Sequence, residues 1–332
     1  MEPQPRNKSR VLFRLIVSLL LFAFAILIFF NRQFVTDQIA VWQFKPTADV
    51  AELSTRTTMT SEARFYFYAS HPDVQDRTEF NKSCNNLKTQ ETVVLGCYAA
   101  RRIYLFDVTD PKLEGIKEVT AAHEMLHAAY ERLDVRERNR VNALLETVSE
   151  SVNDEGLQKL LKEYDKTEPG ERLNELHSIL GTQVASLGSE LETYYAQYFT
   201  DRQAVVAMSQ KYESVFNDLK AEQDKLAADM DRLASELALE SSSYNESIVQ
   251  LNADIARFNV RANGSDFSSQ SEFNAQRSAL VAQQEQLRQT QAQLNAKIAL
   301  YNEKRSALEA TNSQAEALNR SINSNLSPVP AL

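Results

Sequence analysis

One short stretch of the chain carries side chains whose types and spacing suit the chemistry of a metal ion. His123 and His127 are four residues apart in Thr120–Tyr130, TAAHEMLHAAY, so on a helix both imidazoles share one face. Glu124 directly follows the first histidine, where a carboxylate can reach a water molecule on the same ion. Two histidines and an acid in this order predict a Zn2+ site that activates water for hydrolysis.

The residues before this motif predict a small sheet, and those after it predict helices. Three short runs rich in aromatic and β-branched residues precede the motif and predict an antiparallel sheet. The predicted strands are Ala63–Ser70, Thr92–Tyr98 and Arg102–Val108. After Pro111 the apolar residues recur at helical spacing, which predicts one helix from Leu113 to Leu133 that carries both histidines.

Further helices complete the predicted α+β domain, which covers residues 51–205. Apolar residues at helical spacing predict a helix over Glu171–Thr182, and Gly181 is expected to end it. The aromatic residues of the last predicted helix are expected to close the core of the domain. The other predicted helices are Asp134–Ser151, Gly156–Tyr164 and Ser189–Met208.

The last third of the chain has apolar residues that repeat every seven positions. Leu226 and Leu233 follow this repeat before a turn signal at Asn263–Ser265, and Leu287 and Leu294 follow it afterwards. On the second arm, the companion positions four residues after each repeat residue are mostly polar, which predicts a narrow seam. The pattern predicts an antiparallel coiled-coil hairpin over residues 206–322, with parallel self-association of one arm as the competing pairing. The tail, residues 323–332, is predicted to be disordered.

The N-terminal segment predicts where the protein resides. Residues 11–30 are apolar apart from Arg14, and about 20 such residues span a bilayer as a helix. Four basic residues lie within the first 14, so the positive-inside rule places residues 1–10 in the cytoplasm and the main domain outside the membrane. Residues 31–50 are predicted to be a juxtamembrane connector. The alternative is a cleaved signal peptide, which has a shorter apolar core and a small-x-small cleavage site.

Charge and cysteine content narrow the class of protein further. The net charge is −9, and neither half of the chain has a concentrated basic stripe, so the sequence excludes a nucleic-acid-binding protein. Both cysteines, Cys84 and Cys97, fall on the extracytoplasmic side of the predicted membrane helix. An even number of cysteines in an oxidising compartment favours a disulfide, with two buried free thiols as the alternative.

The motif HEMLH after a predicted strand resembles the zincin metallopeptidases. Tyr130 and Leu133 occupy the positions of the glycine and third histidine of a metzincin, which excludes that class. Asn174-Glu175 in NELHS resembles the gluzincins, the thermolysin-like group in which a downstream helix supplies a zinc-binding glutamate, often after asparagine. The resemblance implies Glu175 as third ligand.

The sequence departs from the gluzincin pattern at one position, and this leaves the third ligand open. Gluzincins commonly carry an aspartate four residues after the glutamate, which orients a zinc histidine, and Ile179 stands there instead. His177, Glu190 and Glu192 are therefore alternatives to Glu175. His71 precedes a proline, which predicts an extended, solvated loop residue and not a ligand.

The resemblance also implies a mechanism and the placement of the substrate. It implies a zincin-like domain in which Arg102–Val108 is the edge strand along the substrate cleft. Glu124 would act as general base, and His177, Tyr194 or Tyr195 would donate a hydrogen bond to the oxyanion.

The sequence as a whole predicts a membrane-anchored, extracytoplasmic zinc metallopeptidase that acts on a protein or peptide. Its hairpin is expected to bind a protein partner or to self-associate. One alternative is an envelope structural or scaffolding coiled-coil protein with a structural or inactive zinc site. Another is a zinc hydrolase that cleaves a non-peptide amide, such as a cell-wall bond.

Overall fold

The computed structural model describes residues 8–84, 94–152, 155–167 and 169–324 of the chain. The chain forms two units, of which the first comprises residues 1–215 with 319–332, and the second Phe216–Leu318. The structure is 80% helical with one three-stranded sheet in its described part, which agrees with the prediction of helices and a small sheet.

Twelve helices and one 3-10 turn, Pro111–Leu113, are present in the described ranges. The helices are α1 Lys8–Phe30, α2 Arg32–Gln43, α3 Ala48–Arg56, α4 Ser61–Ala69, α5 Arg77–Cys84, α6 Ile116–Arg132, α7 Val135–Ser151, α8 Glu155–Thr167, α9 Arg172–Thr182, α10 Gly188–Tyr195, α11 Arg202–Asn263 and α12 Gln270–Ile322.

The sheet is mixed. The direction of its strand pairing corrects one prediction, and its strand order corrects another. Its strands are β1 Asp73–Gln75, β2 Gly96–Ala99 and β3 Arg102–Phe106, in the order β1-β3-β2. β3 pairs in parallel with β1 and antiparallel with β2, so the sheet is not wholly antiparallel. The prediction that Arg102–Val108 forms the sheet edge is wrong, because β3 lies in the centre and β2 is one of the edges. Residues 92 and 93 of the predicted strand Thr92–Tyr98 lie outside the described residues.

The predicted strand Ala63–Ser70 is wrong, because these residues form helix α4. The Thr60 side chain accepts a hydrogen bond from the Ala63 N–H and caps the helix. Ala63 and Phe67 are both fully buried. They are four residues apart, which places them on the same face of a helix packed against the core. Packing against the core therefore overrides the strand propensity of the aromatic residues.

The helix that carries both histidines begins later than predicted. The chain first makes the 3-10 turn at Pro111–Leu113, and Gly115 then adopts φ +100°, a conformation that glycine reaches at little cost. α6 follows as a separate helix. Most of it is buried, including Ala122, Met125, Leu126 and Ala129, so the helix that would hold the metal ligands runs through the core of the first unit.

The helices after α6 largely agree with the predicted segments. α7 matches Asp134–Ser151, and the Asp134 side chain caps it by accepting from the N–H groups of Arg136 and Glu137. The segment Ser189–Met208 is not one helix, because the chain leaves α10 and starts α11 only at Arg202. Between the two helices, Phe199 forms a β-bridge with Met59.

Gly181 was predicted to end α9, but in the structure it lies within that helix. A Cβ atom at this position would lie 2.4 Å from Leu126 Cδ1 and 2.8 Å from a ring atom of Tyr195. The missing side chain therefore lets α9 approach α6 closely.

The second unit is a pair of long antiparallel helices formed by most of α11 and α12. Leu226 and Leu233 of α11 and Leu294 of α12 are buried in the seam. The companion positions on α12 lie three residues after each repeat residue, and not four as predicted. Lys297 is one of them and bridges to Glu236 of α11 at 2.9 Å, so salt bridges replace apolar contacts on that side of the seam.

The N-terminal helix α1 contains the apolar segment Leu12–Phe30, whose 19 residues have a mean hydropathy of 2.8 and are not buried. It is long and apolar enough to cross a membrane, as a membrane anchor or as a signal sequence. Residues 32–43 of the predicted connector form α2, and Thr47 caps α3. The predicted disulfide is present between Cys84 of α5 and Cys97 of β2.

The end of α12 returns to the first unit. Ser324 is buried, and its hydroxyl donates a hydrogen bond to the carbonyl oxygen of Val94. The predicted disordered tail, residues 323–332, is thus ordered at Ser324, and its residues 325–332 lie outside the described part of the chain.

Candidate metal centre

Three predicted ligands lie together where α9 packs against α6. His123 and His127 extend from α6, and Glu175 extends from the first turn of α9. One potential ligand atom from each residue lies within 4.8 Å of the other two. Within the described part of the chain, these three side chains form a group that could hold a metal ion.

The distances within this group suit a metal ion with tetrahedral coordination. The Nε2 atoms of His123 and His127 are 3.0 Å apart, and they lie 3.3 and 3.5 Å from the carboxylate oxygens of Glu175. Zinc binds such atoms at about 2.0–2.1 Å, which in a tetrahedron separates neighbouring ligands by about 3.3 Å. The spacing of the three side chains is therefore close to that of zinc ligands, with His123 near Oε1 and His127 near Oε2 of Glu175.

The carboxylate of Glu175 has an unsatisfied oxygen, as expected of a metal ligand. Its Oε1 atom is buried and makes no hydrogen bond of normal geometry. Burial alone would raise the pKa of Glu175, but His123 and His127 hold that pKa well below its usual range. Glu175 is therefore ionised, which is the state in which a carboxylate binds a cation.

The charge of Glu175 also governs the two histidines. Burial opposes their protonation, but Glu175 outweighs this effect and raises the pKa of both, that of His127 to about 9. At neutral pH the pocket without an ion therefore holds a protonated imidazole against the carboxylate. A divalent cation would replace this proton with a stronger positive charge.

Asn174 orients one of the candidate ligands. Its Nδ2 donates to Glu171, which leaves its Oδ1, 3.0 Å from Nδ1 of His127, to accept from that ring. A proton on Nδ1 leaves the Nε2 lone pair free for a metal. Asn174 thus orients a candidate metal ligand, and the sequence indicated this residue only through its resemblance to the gluzincin pair.

Glu124 lies beside the group and against the edge strand β2. Its carboxylate is buried, and burial raises the pKa of Glu124 above its ordinary value. A Cβ atom at Gly96 of β2 would lie 2.6 Å from Oε1 of Glu124, so only glycine leaves room for this carboxylate. No sequence pattern indicated a functional reason for Gly96, because its role depends on contact with a distant helix.

His177, which was predicted as an oxyanion donor or alternative third ligand, lies in the core and outside the group of three candidate ligands. It is fully buried, and its Nε2 is 2.9 Å from the hydroxyl oxygen of Tyr194. Burial lowers the pKa of His177 to about 3, so the ring stays neutral. Tyr195 donates its hydroxyl to the His177 carbonyl oxygen, and both tyrosines are buried in this cluster. The hydroxyl groups of Tyr194 and Tyr195 therefore hydrogen-bond within the core.

The two remaining acidic candidates and the fourth histidine lie outside the group. Glu192 pairs with Arg202, and Glu190 is exposed on α10. His71 is not an extended, solvated residue as predicted, because it adopts φ +43° and its ring stacks on Phe44 at 5.1 Å. Its Nε2 atom is also 2.9 Å from a carbonyl oxygen of α2. His71 therefore has a packing role.

The fold and the group together define a mainly helical protein with a small mixed sheet and a candidate metal site of two histidines and one glutamate. Comparison with protein families, with curated proteins and with solved structures finds no match to this chain.

Proposed function

We propose that the protein is a membrane-anchored, extracytoplasmic zinc metallopeptidase. The observation that carries this proposal is the placement of His123, His127 and Glu175 around one point, with the buried Glu124 beside them. Three protein ligands leave a fourth position open, as catalytic zinc sites require. The apolar helix α1 supports the membrane anchor, and the disulfide is consistent with an oxidising compartment.

Each side chain has a distinct part in this proposal. His123, His127 and Glu175 hold the ion, and Asn174 keeps His127 in the tautomer that binds it. When bound by these residues, a zinc ion would supply a Lewis acid able to polarise a carbonyl group and to lower the pKa of a water molecule. Glu124 takes the proton from the attacking water and returns it to the leaving amine nitrogen.

The open edge of β2 favours a peptide substrate over a non-peptide amide. Leu95 accepts a hydrogen bond from the Phe106 N–H, so the alternation of an antiparallel pair directs the main-chain groups of Gly96 and Tyr98 away from β3. No other described strand pairs with that side of β2. An extended peptide can hydrogen-bond along this edge next to Glu124.

The test is a comparison of zinc content and peptide cleavage in the full-length protein in detergent. We expect Glu124→Gln to bind zinc as the wild type does and to cleave a library of fluorogenic peptides at least about 100-fold more slowly. Glu175→Gln should lose most of its bound zinc. Glu150→Gln, on the exposed surface of α7, is the matched control and should change neither property. Normal cleavage by Glu124→Gln would refute the role of Glu124.

The alternative is a scaffolding protein in which the long hairpin is the functional part and the zinc site is structural. It makes a different prediction for the metal coordination. X-ray absorption of the zinc-loaded protein should then show four protein ligands, whereas the peptidase should show three and one oxygen from water.

A further inference from the structure

Helix α2 has two unlike faces, and one of them is fixed to the rest of the first unit. Asp37 accepts two hydrogen bonds from Arg132 at the end of α6, both at 2.9 Å. The Arg132 and Asp37 side chains are only 3% and 6% exposed. This buried ion pair prevents α2 from rotating about its axis.

The other face of α2 is apolar and exposed. Phe34, Ile39 and Trp42 are 58%, 45% and 77% exposed. At about 100° per residue, these side chains lie within an arc of about 140°, in which Ile39 and Trp42 are about 160° and 140° from Asp37 and Phe34 is about 60° from it. Phe34, at one margin of the arc, stacks on Phe65 with ring centroids 5.7 Å apart, whereas the ion pair holds Ile39 and Trp42 on the exposed side of the helix.

The position of α2 in the chain indicates what covers this face. Only Asn31 separates α2 from α1, whose segment Leu12–Phe30 is long and apolar enough to cross a membrane. We propose that the apolar face of α2, defined by Phe34, Ile39 and Trp42, lies in the interfacial layer of a lipid bilayer. An amphipathic helix binds there through its apolar face, and tryptophan prefers this depth.

This placement has a consequence for the candidate metal centre. Arg132 is five residues after His127 on the same helix, so the ion pair connects the lipid-bound helix to α6. The bilayer surface therefore sets the position of the helix that carries both candidate histidines. The lipid contact itself does not depend on the proposed peptidase activity.

Trp42 is the only tryptophan in the chain, so its fluorescence reports this face alone. The full-length protein would be placed in nanodiscs of phosphatidylcholine and phosphatidylglycerol, with one copy in each disc. We expect a nitroxide on the lipid headgroup to quench Trp42 strongly. We expect aqueous iodide to quench it several-fold less than it quenches N-acetyltryptophanamide.

Three outcomes would overturn the proposal. Iodide quenching equal to that of the free tryptophan derivative, without quenching by lipid nitroxide, would show that the face is in water. Shielding that appears only with two copies in a disc would show that a second copy covers it. Shielding from iodide without quenching by lipid nitroxide, in discs with one copy, would show that protein covers it.

A matched pair of variants on α2 tests the face directly. Ile39→Glu places a charge within the apolar arc and should raise iodide quenching of Trp42 several-fold. Thr36→Glu places the same charge on an exposed polar side of the helix and should leave it unchanged. Circular dichroism melting of both variants checks that they fold, because both positions are exposed. Equal quenching in both variants would contradict the proposal.

Discussion

At the residue scale, the candidate centre depends on side chains that hold the ligands as well as on the ligands. Asn174 Oδ1 lies 3.0 Å from Nδ1 of His127, so a hydrogen bond between them leaves Nε2 of His127 available to a metal ion. Groups that orient a metal histidine in this way typically contribute a factor of about 10–100 to metal affinity. A substitution of Asn174 is therefore the most direct test of the geometry of the site.

We predict that Asn174→Ala lowers zinc affinity about 10–100-fold, because the His127 ring loses the group that fixes its tautomer and orientation. Competition with a chromophoric zinc chelator measures this affinity. Asn139→Ala, on the exposed surface of α7, is the control and should bind zinc as the wild type does. Equal affinities in the two variants would show that Asn174 does not orient a ligand.

Gly96→Ala tests the contact between the sheet edge and Glu124. The added methyl group would lie 2.6 Å from both Glu124 Oε1 and Thr120 Cγ2, so we expect a loss of about 1–3 kcal/mol in the free energy of unfolding. Zinc affinity should change little, because the added methyl group would not contact any of the three candidate ligands. Chemical denaturation measures the first effect and chelator competition the second. Gly170→Ala, whose Cβ would meet no atom within 4 Å, should leave both unchanged.

The sequence motifs predicted which side chains lie together at the candidate metal centre. They predicted the residues packed around those side chains less well. The helical spacing of His123 and His127 places them on one face whatever the fold, and Glu175 meets them in the structure. Their role as zinc ligands stays a prediction. The burial of His177 was not predicted, because it depends on which helices pack around this residue and no local pattern records that.

At the element scale, local propensity and tertiary packing disagree at two places. The aromatic run from Ala63 has strand propensity, but a capped helix buries Ala63 and Phe67 together. The resemblance to zincins implied β3 as the edge strand, and no sequence pattern indicated its second partner, because β1 has only three residues. The bounds of α7 were predicted well because its turns repeat the same apolar period, whereas the start of α11 at Arg202 was not predicted.

The buried ion pair between α2 and α6 is the element-scale contact that we expect to matter most for stability. Asp37→Ala removes the charged partner of the buried Arg132 guanidinium, which keeps its hydrogen bonds to Tyr98 and the Ala128 carbonyl oxygen, so we predict a loss of about 3–5 kcal/mol in the free energy of unfolding. Replacing both residues, as Asp37→Leu with Arg132→Met, should recover most of this loss. Denaturant unfolding of the single and double variants in detergent measures both values. A single variant as stable as the wild type would show that the pair does not hold α2.

At the scale of the whole molecule, the candidate ligands all belong to the first unit, and most of the long hairpin forms the second. Metal binding should therefore stabilise one unit directly and leave the intrinsic stability of the other unchanged. This separation follows from linkage, because an ion stabilises only the folded structure that assembles its ligands.

We predict that zinc at about 100 times its dissociation constant stabilises the first unit by about 2.7 kcal/mol relative to the metal-free protein. α6 and α9 carry the candidate ligands, so we expect removal of zinc by a chelator to loosen their packing. Hydrogen exchange should show faster exchange in these two helices and no change in Phe216–Leu318 away from its junctions with the first unit. Glu175→Gln is the control, because zinc should protect its helices far less. If zinc protected the wild type and this variant equally, the Glu175 carboxylate would not be needed for zinc binding. The ion would then bind elsewhere and not between α9 and the two histidines of α6.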